Sequence, residues 1–296
     1  MNKIGLIIGF GSIGKKHFQV MKKSKIFKKI YILSRHLKGK NYLIKNFNQI
    51  PNIDPDLVVI CSETSSHLEH LKILEKKIKN KIILVEKPLF SKSSKFKIKS
   101  NKVFVAYNLR YDPMLIFLKK FIFYKKIFST KICCNSYLPN WRKSDYKKLY
   151  SSDKSRGGGV HLDLSHEIDY ANWIFGNLRK KNIILKKISN LKINSEDYMQ
   201  FLGKSKLSKL ININLSYFSV KNQRYISMFL EKEFILVDLL KREISFTNLK
   251  NTTVKKFKNF SQIDALLLQL IDILKKKPKY ACSFKDGLKV LKILGI

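Results

Sequence analysis

A group of glycines near the start of the chain has the spacing of a phosphate-binding turn. It reads Gly9-Phe10-Gly11-Ser12-Ile13-Gly14, after the apolar run of residues 3–8 and before a stretch with helical spacing. In such a turn the first glycine permits the bend, the second lets backbone approach a pyrophosphate, and the third lets the helix pack on the strand. The phosphates would lie against the helix N-terminus. The pattern predicts a dinucleotide site formed by Gly9, Phe10, Gly11, Ser12, Ile13 and Gly14.

The residues after the second predicted strand bear on the choice of dinucleotide. A site for NAD usually offers Asp or Glu to the ribose hydroxyls about 20 residues further on, whereas Arg meets the 2′-phosphate of NADP. This strand ends Leu33-Ser34-Arg35, without a carboxylate. Ser34 could donate to a phosphate, and Arg35 could pair with that phosphate or stack on the adenine. Arg35 could also be an ordinary surface residue, but the sequence favours NADP over NAD.

A lysine follows another predicted strand, in the triplet Glu86-Lys87-Pro88. The proline holds Lys87 extended, which projects its ammonium toward the crevice at the carboxyl ends of the strands. There the ammonium can bond a substrate hydroxyl or carbonyl oxygen and stabilise a developing alkoxide. Many lysines of this chain have no such role, and its neighbours single out Lys87. Glu86 is either a structural partner that fixes the loop or a cofactor contact.

An imidazole suited to proton transfer follows the three glycines at 157–159. His166 and Asp169 lie three residues apart, so on a helix they share one face, which could point into the crevice. Histidine has the pKa to pass a proton near neutrality. The alternative is a core histidine bonded to backbone. The sequence predicts that His166 exchanges a proton with the substrate.

Alternating strand and helix patterns position these groups in the first hundred residues. Helical spacing covers residues 12–23 and about 65–79, and the predicted strands are the apolar runs 3–8, 30–33, 56–61, 81–85 and 103–107. Such alternation predicts a mostly parallel sheet that binds ligands at the carboxyl ends of its strands. The first domain is therefore expected to span residues 1–108.

Longer β-rich runs dominate the remainder, residues 109–296, which are expected to form a second domain. The runs are 127–137, 182–189, 197–201, 207–218, 224–230 and 234–239. Several alternate in polarity, as an antiparallel sheet with one covered face requires. Ser261 is predicted to cap a helix that continues to Lys276. A last helix, about 284–296, is expected to pack back on the first domain.

The motifs, in this order, resemble the glucose–fructose oxidoreductase, inositol dehydrogenase and rhizopine-catabolism (Gfo/Idh/MocA) family. Besides the glycine turn they are the stretch 61–67, the triplet 86–88, Tyr107-Asn108-Leu109-Arg110 and the block 157–170. The resemblance implies an α/β fold with a Rossmann domain and a second domain built on a large, mostly antiparallel open sheet. It also implies NAD(P)-dependent hydride transfer to or from a secondary alcohol or ketone carbon of a sugar, sugar nucleotide or polyol.

The resemblance assigns roles to individual residues. Lys87 would polarise the substrate oxygen, His166 would be the acid/base, and Asp163 would orient it. The family more often has its Asp four residues before this His, where the chain has Leu162; Asp163 stands three before it, and His161 is a second imidazole nearby. Further cofactor contacts are implied for Cys61, Ser62, Thr64, His67, Glu86 and Lys87. Substrate contacts are implied for Lys87, Asn108, Arg110 and His166.

An aromatic and basic stretch in the second part, residues 137–142, resembles a subgroup that accompanies surface-polysaccharide and acidic-sugar biosynthesis. Trp141 could stack on a sugar ring and Arg142 could clamp a phosphate or carboxylate, although both are equally common as loop-packing anchors. The family resemblance also implies a homodimer or homotetramer formed through the C-terminal sheet.

Composition limits the remaining possibilities. A formal net charge of +39 resembles that of nucleic-acid-binding proteins, but only seven of the 60 basic residues are Arg, and the lysines are spread along the chain. Solvated lysine faces explain this charge better than a nucleic-acid site. The four cysteines lack paired metal-ligand spacing, so no metal is expected and a reducing cytoplasm is inferred. No apolar run approaches the roughly 18 residues of a membrane span, so no membrane association is expected.

Two other functions stay open from the sequence. One is an NAD(P)-binding sensor of the same fold that has lost its chemistry. The presence of both Lys87 and His166 speaks against it, and the shifted Asp163 speaks for it. The other is a nucleic-acid binder on the same scaffold, which a salt-dependent affinity for duplex DNA would reveal.

Overall fold

The computed structural model describes residues 2–34, 37 and 42–296. Within these ranges the helices are Ser12–Lys23 (α1), Ile50–Ile53 (α2), His67–Lys77 (α3), Pro113–Phe121 (α4), Val160–Asp163 (α5), His166–Phe175 (α6), Gln262–Ile273 (α7) and Phe284–Leu294 (α8). The strands are Lys3–Ile8 (β1), Phe27–Leu33 (β2), Leu43–Ile44 (β3), Leu57–Ile60 (β4), Ile82–Val85 (β5), Lys102–Val105 (β6), Ile127–Tyr137 (β7), Arg179–Lys186 (β8), Tyr198–Lys204 (β9), Ser208–Ser216 (β10), Phe218–Phe229 (β11), Glu233–Asp238 (β12), Glu243–Asn248 (β13), Thr252–Lys256 (β14) and Cys282–Ser283 (β15).

The first sheet has the strand order β15-β6-β5-β4-β1-β2-β3 in the described part of the chain. The strands from β3 to β6 pair in parallel, and β15 pairs antiparallel to β6. The order 3-2-1-4-5-6 is that of a Rossmann sheet. All four residues of β4 are buried, as expected of a parallel strand covered on both faces. The predicted α/β fold with a parallel N-terminal sheet is confirmed.

The described residues form two compact units. The first comprises Met1–Tyr111 and Ser261–Leu291, and the second comprises Asp112–Phe260 and Lys292–Ile296. Contacts thus place α7 in the first unit, although the sequence analysis put this helix in the second domain. A helical stripe of leucines shows that one face is buried, but its spacing does not show which sheet it covers. A domain boundary at residue 108 stays a prediction.

The core of the first unit explains where α7 packs. Leu266 and Leu270 of this helix join a buried cluster with Ile7 of β1 and with Val20 and Met21 of α1. The helix begins with the predicted cap, since the Ser261 hydroxyl accepts from the backbone of the residue three positions on and a full capping box is present. Its last turn ends at Ile273, three residues before the predicted end.

The second unit contains a mixed sheet with the order β14-β13-β12-β11-β7-β10-β9-β8. One pair, β10 with β7, is parallel, and the other pairs are antiparallel. The prediction of a large, mostly antiparallel sheet is confirmed. The predicted run 207–218 proves to be β10 and the start of β11. The strand β14 was missed because all five of its residues are exposed, so its sequence has no alternation of polarity.

The helix α4 was also missed, although its sequence carries a start signal. The Asp112 side chain accepts from the backbone N–H of Met114 at 2.8 Å, and Pro113 occupies the first helical position. Both features are typical of helix N-termini. None of the described helices is long and apolar enough to cross a membrane.

Candidate active site

The glycine turn of the first unit contains two glycines that the fold itself requires. Gly9 has φ +90°, and a Cβ there would lie 2.7 Å from the backbone oxygen of Cys61. A Cβ on Gly14 would lie 2.3 Å from the backbone oxygen of Gly9. Neither space tolerates a side chain without backbone movement. These two positions therefore hold α1 close to the ends of β1 and β4.

Gly11 differs from both neighbours in the motif. A Cβ on Gly11 would meet no atom of the described residues within 4 Å, and its φ of −73° is accessible to any residue. The protein's own packing therefore gives no reason for glycine here. Close approach of a bound molecule to the backbone would give one.

The first turn of α1 offers backbone donors to an anion. Gly11 is its N-cap residue and supplies no side-chain hydrogen bond, and the turn contains no acidic residue. Ser12 is exposed, while Phe10 and Ile13 are half-buried. Together with the open position at Gly11, this geometry fits the pyrophosphate of a dinucleotide.

The strand β2 leads to the residues predicted to choose between the two dinucleotides. Ser34 directly follows its last residue, Leu33, and is half-buried. Arg35 lies outside the described residues. The backbone oxygen of Leu33 accepts from the Gly9 N–H at 2.9 Å, which holds the end of β2 beside the glycine turn.

The loop after β4 contains three predicted cofactor residues, Cys61, Ser62 and Thr64, and a fourth, His67, begins α3. Cys61 and Thr64 are buried, and burial together with the nearby Glu86 charge raises the pKa of the Cys61 thiol well above its usual value. The Ser62 hydroxyl lies 3.0 Å from Nδ1 of His70. A direct cofactor contact of any of these residues stays a prediction.

His67 connects two loops. Its Nε2 lies 3.0 Å from the backbone oxygen of Ser62, and its Nδ1 lies 3.0 Å from the backbone oxygen of Pro88. The side chain is buried, and burial lowers the His67 pKa, an effect that the two carbonyls partly offset. Since both ring nitrogens face carbonyl oxygens, the geometry gives His67 a structural role in addition to its predicted one.

Glu86 has the structural partner that the sequence analysis considered. Its Oε1 lies 2.7 Å from Nε2 of His17 on α1, and its Oε2 accepts from the backbone N–H of Lys87 at 3.2 Å. Both side chains of the His17–Glu86 pair are nearly inaccessible to solvent. Lys87 itself is half-buried and follows Glu86, just beyond the end of β5 at Val85. His17 lies on the buried face of α1, and the sequence did not reveal this contact.

The predicted substrate residues Asn108 and Arg110 lie on a short 3-10 turn that spans Asn108–Tyr111. Both are buried, and Nη1 of Arg110 lies 3.6 Å from a carboxylate oxygen of Asp286. The Tyr111 hydroxyl donates to Asp272 of α7 at 3.0 Å. The first unit thus already gives the Arg110 charge a carboxylate partner.

In the second unit, Asp163 is the acceptor for two tyrosines. The Tyr150 hydroxyl donates to its Oδ1 at 2.6 Å, and the Tyr217 hydroxyl donates to its Oδ2 at 2.5 Å. Burial, with the Asp163 charge, raises the pKa of both phenols. The predicted orienting role of Asp163 toward His166 stays a prediction, and the tyrosine contacts were not foreseen.

His166 is the first residue of α6 and is half-buried. Asp169, predicted to share its face, is buried on the same helix. The intervening Glu167 is buried and accepts from Nε and Nη2 of Arg224 on β11 at 2.7 and 2.6 Å. This pair ties the first turn of α6 to the second sheet, and so fixes the backbone that carries His166.

Trp141 and Arg142 follow the 3-10 turn Leu138–Asn140. The indole N–H of Trp141 donates to the Ser136 hydroxyl at 3.0 Å, and its ring meets Tyr217 edge-on at 5.2 Å between centroids. Trp141 is half-buried and Arg142 is exposed. The contacts of Trp141 are those of a loop-packing anchor, and contact with a sugar stays a prediction.

His161 is buried beside Gly159, near the carboxylates of Glu196 and Asp163. The Nδ1 atom of His161 has no hydrogen-bond partner among the described residues, and neither has the Oε2 atom of Glu196. Burial lowers the pKa of His161 to about 4. The charges of Glu196 and Asp163 act to raise this pKa, and the charge of Lys154 lowers it slightly further. His161 is therefore neutral near pH 7, unlike a poised acid/base.

We expect His161 to make the protein less stable in acid. The pKa of His161 is 6.5 in the unfolded chain and about 4 in the folded protein. Between these pH values the unfolded chain binds a proton at this side chain and the folded protein does not. Stability is therefore lost as pH falls through this window, by about 3 kcal/mol at most. Urea unfolding at about pH 7 and about pH 4.5 measures this loss, which should be smaller in His161→Gln. An equal loss in both proteins would contradict the assignment.

Among the described residues, no group of three or more His, Cys, Asp or Glu side chains could hold a metal ion. The four cysteines, Cys61, Cys133, Cys134 and Cys282, are buried thiols that form no disulfide.

A family model matches part of the first unit. Residues 4–98 match a family model described as "Oxidoreductase family, NAD-binding Rossmann fold". Comparison with curated protein sequences gave no match.

Solved structures share the fold of the whole chain. UDP-N-acetylglucosamine 3-dehydrogenase GnnA from Acidithiobacillus ferrooxidans is 13% identical with a TM-score of 0.76, covering 100% of this chain and 96% of that one. A levoglucosan dehydrogenase in complex with NADH and levoglucosan is 16% identical with a TM-score of 0.81, covering 99% and 95%. The transcriptional regulator Gal80p from Kluyveromyces lactis is 14% identical with a TM-score of 0.81, covering 100% and 89%. Similarity at these identities establishes a common fold.

Proposed function

We propose that this protein is an NAD(P)-dependent dehydrogenase of sugars of the Gfo/Idh/MocA type, a proposal supported by the match of residues 4–98 to an oxidoreductase family model. It would transfer a hydride between nicotinamide and a secondary alcohol or ketone carbon of a sugar, sugar nucleotide or polyol. The observation that carries the proposal is the glycine turn, where Gly11 faces open space and the first turn of α1 has no side-chain cap. Gly9, Gly11, Ser12, Ile13 and Gly14 would hold the phosphates.

Residues of this chain would transfer the proton of the substrate hydroxyl and stabilise the negative charge that develops on its oxygen. A bound nicotinamide would supply or accept the hydride. Lys87 would donate a hydrogen bond from Nζ to the substrate oxygen and stabilise negative charge developing on it. His166 would accept the proton of that hydroxyl on oxidation and return it on reduction. Asn108, Arg110, Trp141 and Arg142 would bind the rest of the substrate.

A turnover screen tests this function. The protein would be incubated with NAD⁺ or NADP⁺ and with UDP-N-acetylglucosamine, levoglucosan or a free polyol, while absorbance of the reduced nicotinamide is followed. We expect reduction of the cofactor with at least one sugar or sugar nucleotide. Tight binding of cofactor without turnover of any compound would instead support an inactive, cofactor-sensing protein. The fold of Gal80p, a regulator, shows that the fold alone does not decide between the two.

The proposed cofactor preference is NADP over NAD. Neither Ser34 nor Arg35, the two residues that follow Leu33 in the sequence, carries the carboxylate that would bind ribose hydroxyls and repel a 2′-phosphate. We expect a lower dissociation constant for NADPH than for NADH, and replacement of Ser34 by Asp should reverse the order. Fluorescence titration measures both constants. Tighter binding of NADH to the unaltered protein would reject the preference.

The second sheet offers a surface for self-association. By strand register, Ile184, Leu210, Phe229 and Val254 lie on one face of this sheet, and all four are exposed. Exposed apolar groups collected on one face are typical of an interaction site. We propose that this face joins two or four copies of the chain, and a monomeric mass in sedimentation equilibrium would contradict it.

A further inference from the structure

The backbone on both sides of Lys87 is held by buried imidazoles. On one side the Glu86 carboxylate contacts Nε2 of His17, which belongs to α1. On the other side the Pro88 carbonyl contacts Nδ1 of His67, which belongs to α3. The lysine therefore extends from a short segment fixed to two helices of the first unit.

The contact with His17 is the more direct of the two. Glu86 uses one oxygen for His17, at 2.7 Å, and the other for the backbone N–H of Lys87, at 3.2 Å. The His17 and Glu86 side chains are 5% and 10% exposed. Burying such a pair costs desolvation free energy and seldom adds much net stability. Its evident effect is geometric, because one carboxylate joins a helix to the backbone of the next residue.

We propose that His17 is a positioning residue for Lys87. It holds the Glu86 carboxylate in place, and the carboxylate in turn fixes the Lys87 backbone from which the ammonium reaches the substrate oxygen. This inference rests on the proposed function of Lys87. His17 also lies on the helix that begins directly after the glycine turn, so one helix would both receive the cofactor phosphates and hold the lysine.

The expected effect is on the rate and not on cofactor binding. A misplacement of about 1 Å can cost about 10²-fold in rate, so we expect His17→Ala to lower kcat by about tenfold to 10²-fold. The dissociation constant for reduced cofactor should stay within about threefold, because His17 lies on the buried face of α1. The substrate would be UDP-N-acetylglucosamine or levoglucosan, whichever the unaltered protein turns over faster.

A double-mutant cycle separates positioning from general structural damage. If His17 acts only through Lys87, then His17→Ala should cost nothing further in kcat once Lys87→Met is present. A purely structural role would cost the same factor in both backgrounds and would overturn the inference. Where His17→Ala fails to fold, Glu86→Ala enters the same cycle with the same two outcomes.

Conservative variants and a matched control complete the test. The amide of Glu86→Gln can still accept from the Lys87 N–H, so this variant should keep more of kcat than Glu86→Ala. Glu75 is the control, because its carboxylate also accepts hydrogen bonds from loop backbone, namely from the N–H groups of Lys99 and Ser100. These two residues precede β6 and therefore lie at the amino ends of the parallel strands, whereas Lys87 lies at their carboxyl ends. Glu75→Ala should lower the unfolding temperature and leave kcat unchanged. Equal losses of kcat in Glu75→Ala and Glu86→Ala would overturn the inference.

The failure of this inference differs from failure of the proposed function. If Lys87→Met by itself leaves kcat unchanged, the catalytic role of Lys87 is wrong and the positioning role falls with it. If Lys87→Met lowers kcat and His17→Ala lowers it independently, only the positioning role is wrong.

Discussion

Replacement of Lys87 by Met should lower the rate of hydride transfer by about 10² to 10⁴, and replacement of His166 by Ala should do the same. Lys87 is assigned to stabilise charge on the substrate oxygen, and His166 is assigned to exchange the proton of that oxygen. The dinucleotide does not contain this oxygen. The rate should therefore fall far more than cofactor affinity. Because the two groups would act on one oxygen, the double variant should lose less than the product of the single losses.

Single-turnover kinetics with the substrate from the screen, together with fluorescence titration of reduced cofactor, measure these effects. Lys102→Met is the matched control, because Lys102 is exposed at the start of β6, and it should leave the rate unchanged. A His166→Ala protein with a normal rate at all pH values would leave His166 a structural histidine. The neutral, buried His161 could not simply replace it, since its pKa of about 4 makes it a weak base.

Replacement of Gly11 by Val should abolish dinucleotide binding while the fold persists. A Cβ there would meet no described atom of the protein within 4 Å, but the valine side chain would occupy the space through which a pyrophosphate approaches the backbone. Calorimetric titration with reduced cofactor and thermal unfolding measure the two properties. Unchanged affinity in Gly11→Val would remove the assignment of the glycine turn to cofactor.

Gly14 provides the control for that substitution. A Cβ at Gly14 would lie 2.3 Å from the backbone oxygen of Gly9, so Gly14→Ala should lower the unfolding temperature markedly. The motif's glycines would then separate into one required by a ligand and others required by packing. Equal stability losses in Gly11→Val and Gly14→Ala would contradict this division.

Local sequence signals predicted much of the first unit. The strand β1 and the helix α1 have the predicted bounds, because an apolar run, a glycine turn and a helical stripe are all encoded within a few residues of one another. The cap at Ser261 was predicted for the same reason. Such signals depend only on near neighbours in the chain.

Contacts between distant residues could not be predicted in this way. The His17–Glu86 pair spans 69 residues and the Tyr217–Asp163 bond spans 54, so neither leaves a pattern in local spacing. The sequence offered one usable signal, namely that a histidine on the apolar face of α1 needs a buried partner. It did not show that the partner would be the residue next to Lys87.

Isotope transfer tests the central claim most directly. The protein would be incubated with NAD⁺ or NADP⁺ and with UDP-N-acetylglucosamine or levoglucosan carrying deuterium on its ring carbons, and the reduced cofactor would be analysed by mass spectrometry. A sugar dehydrogenase predicts one deuterium atom in each reduced cofactor molecule, and loss of this product in Lys87→Met. Absence of reduced cofactor with every sugar, or reduced cofactor without deuterium, would contradict the proposed function.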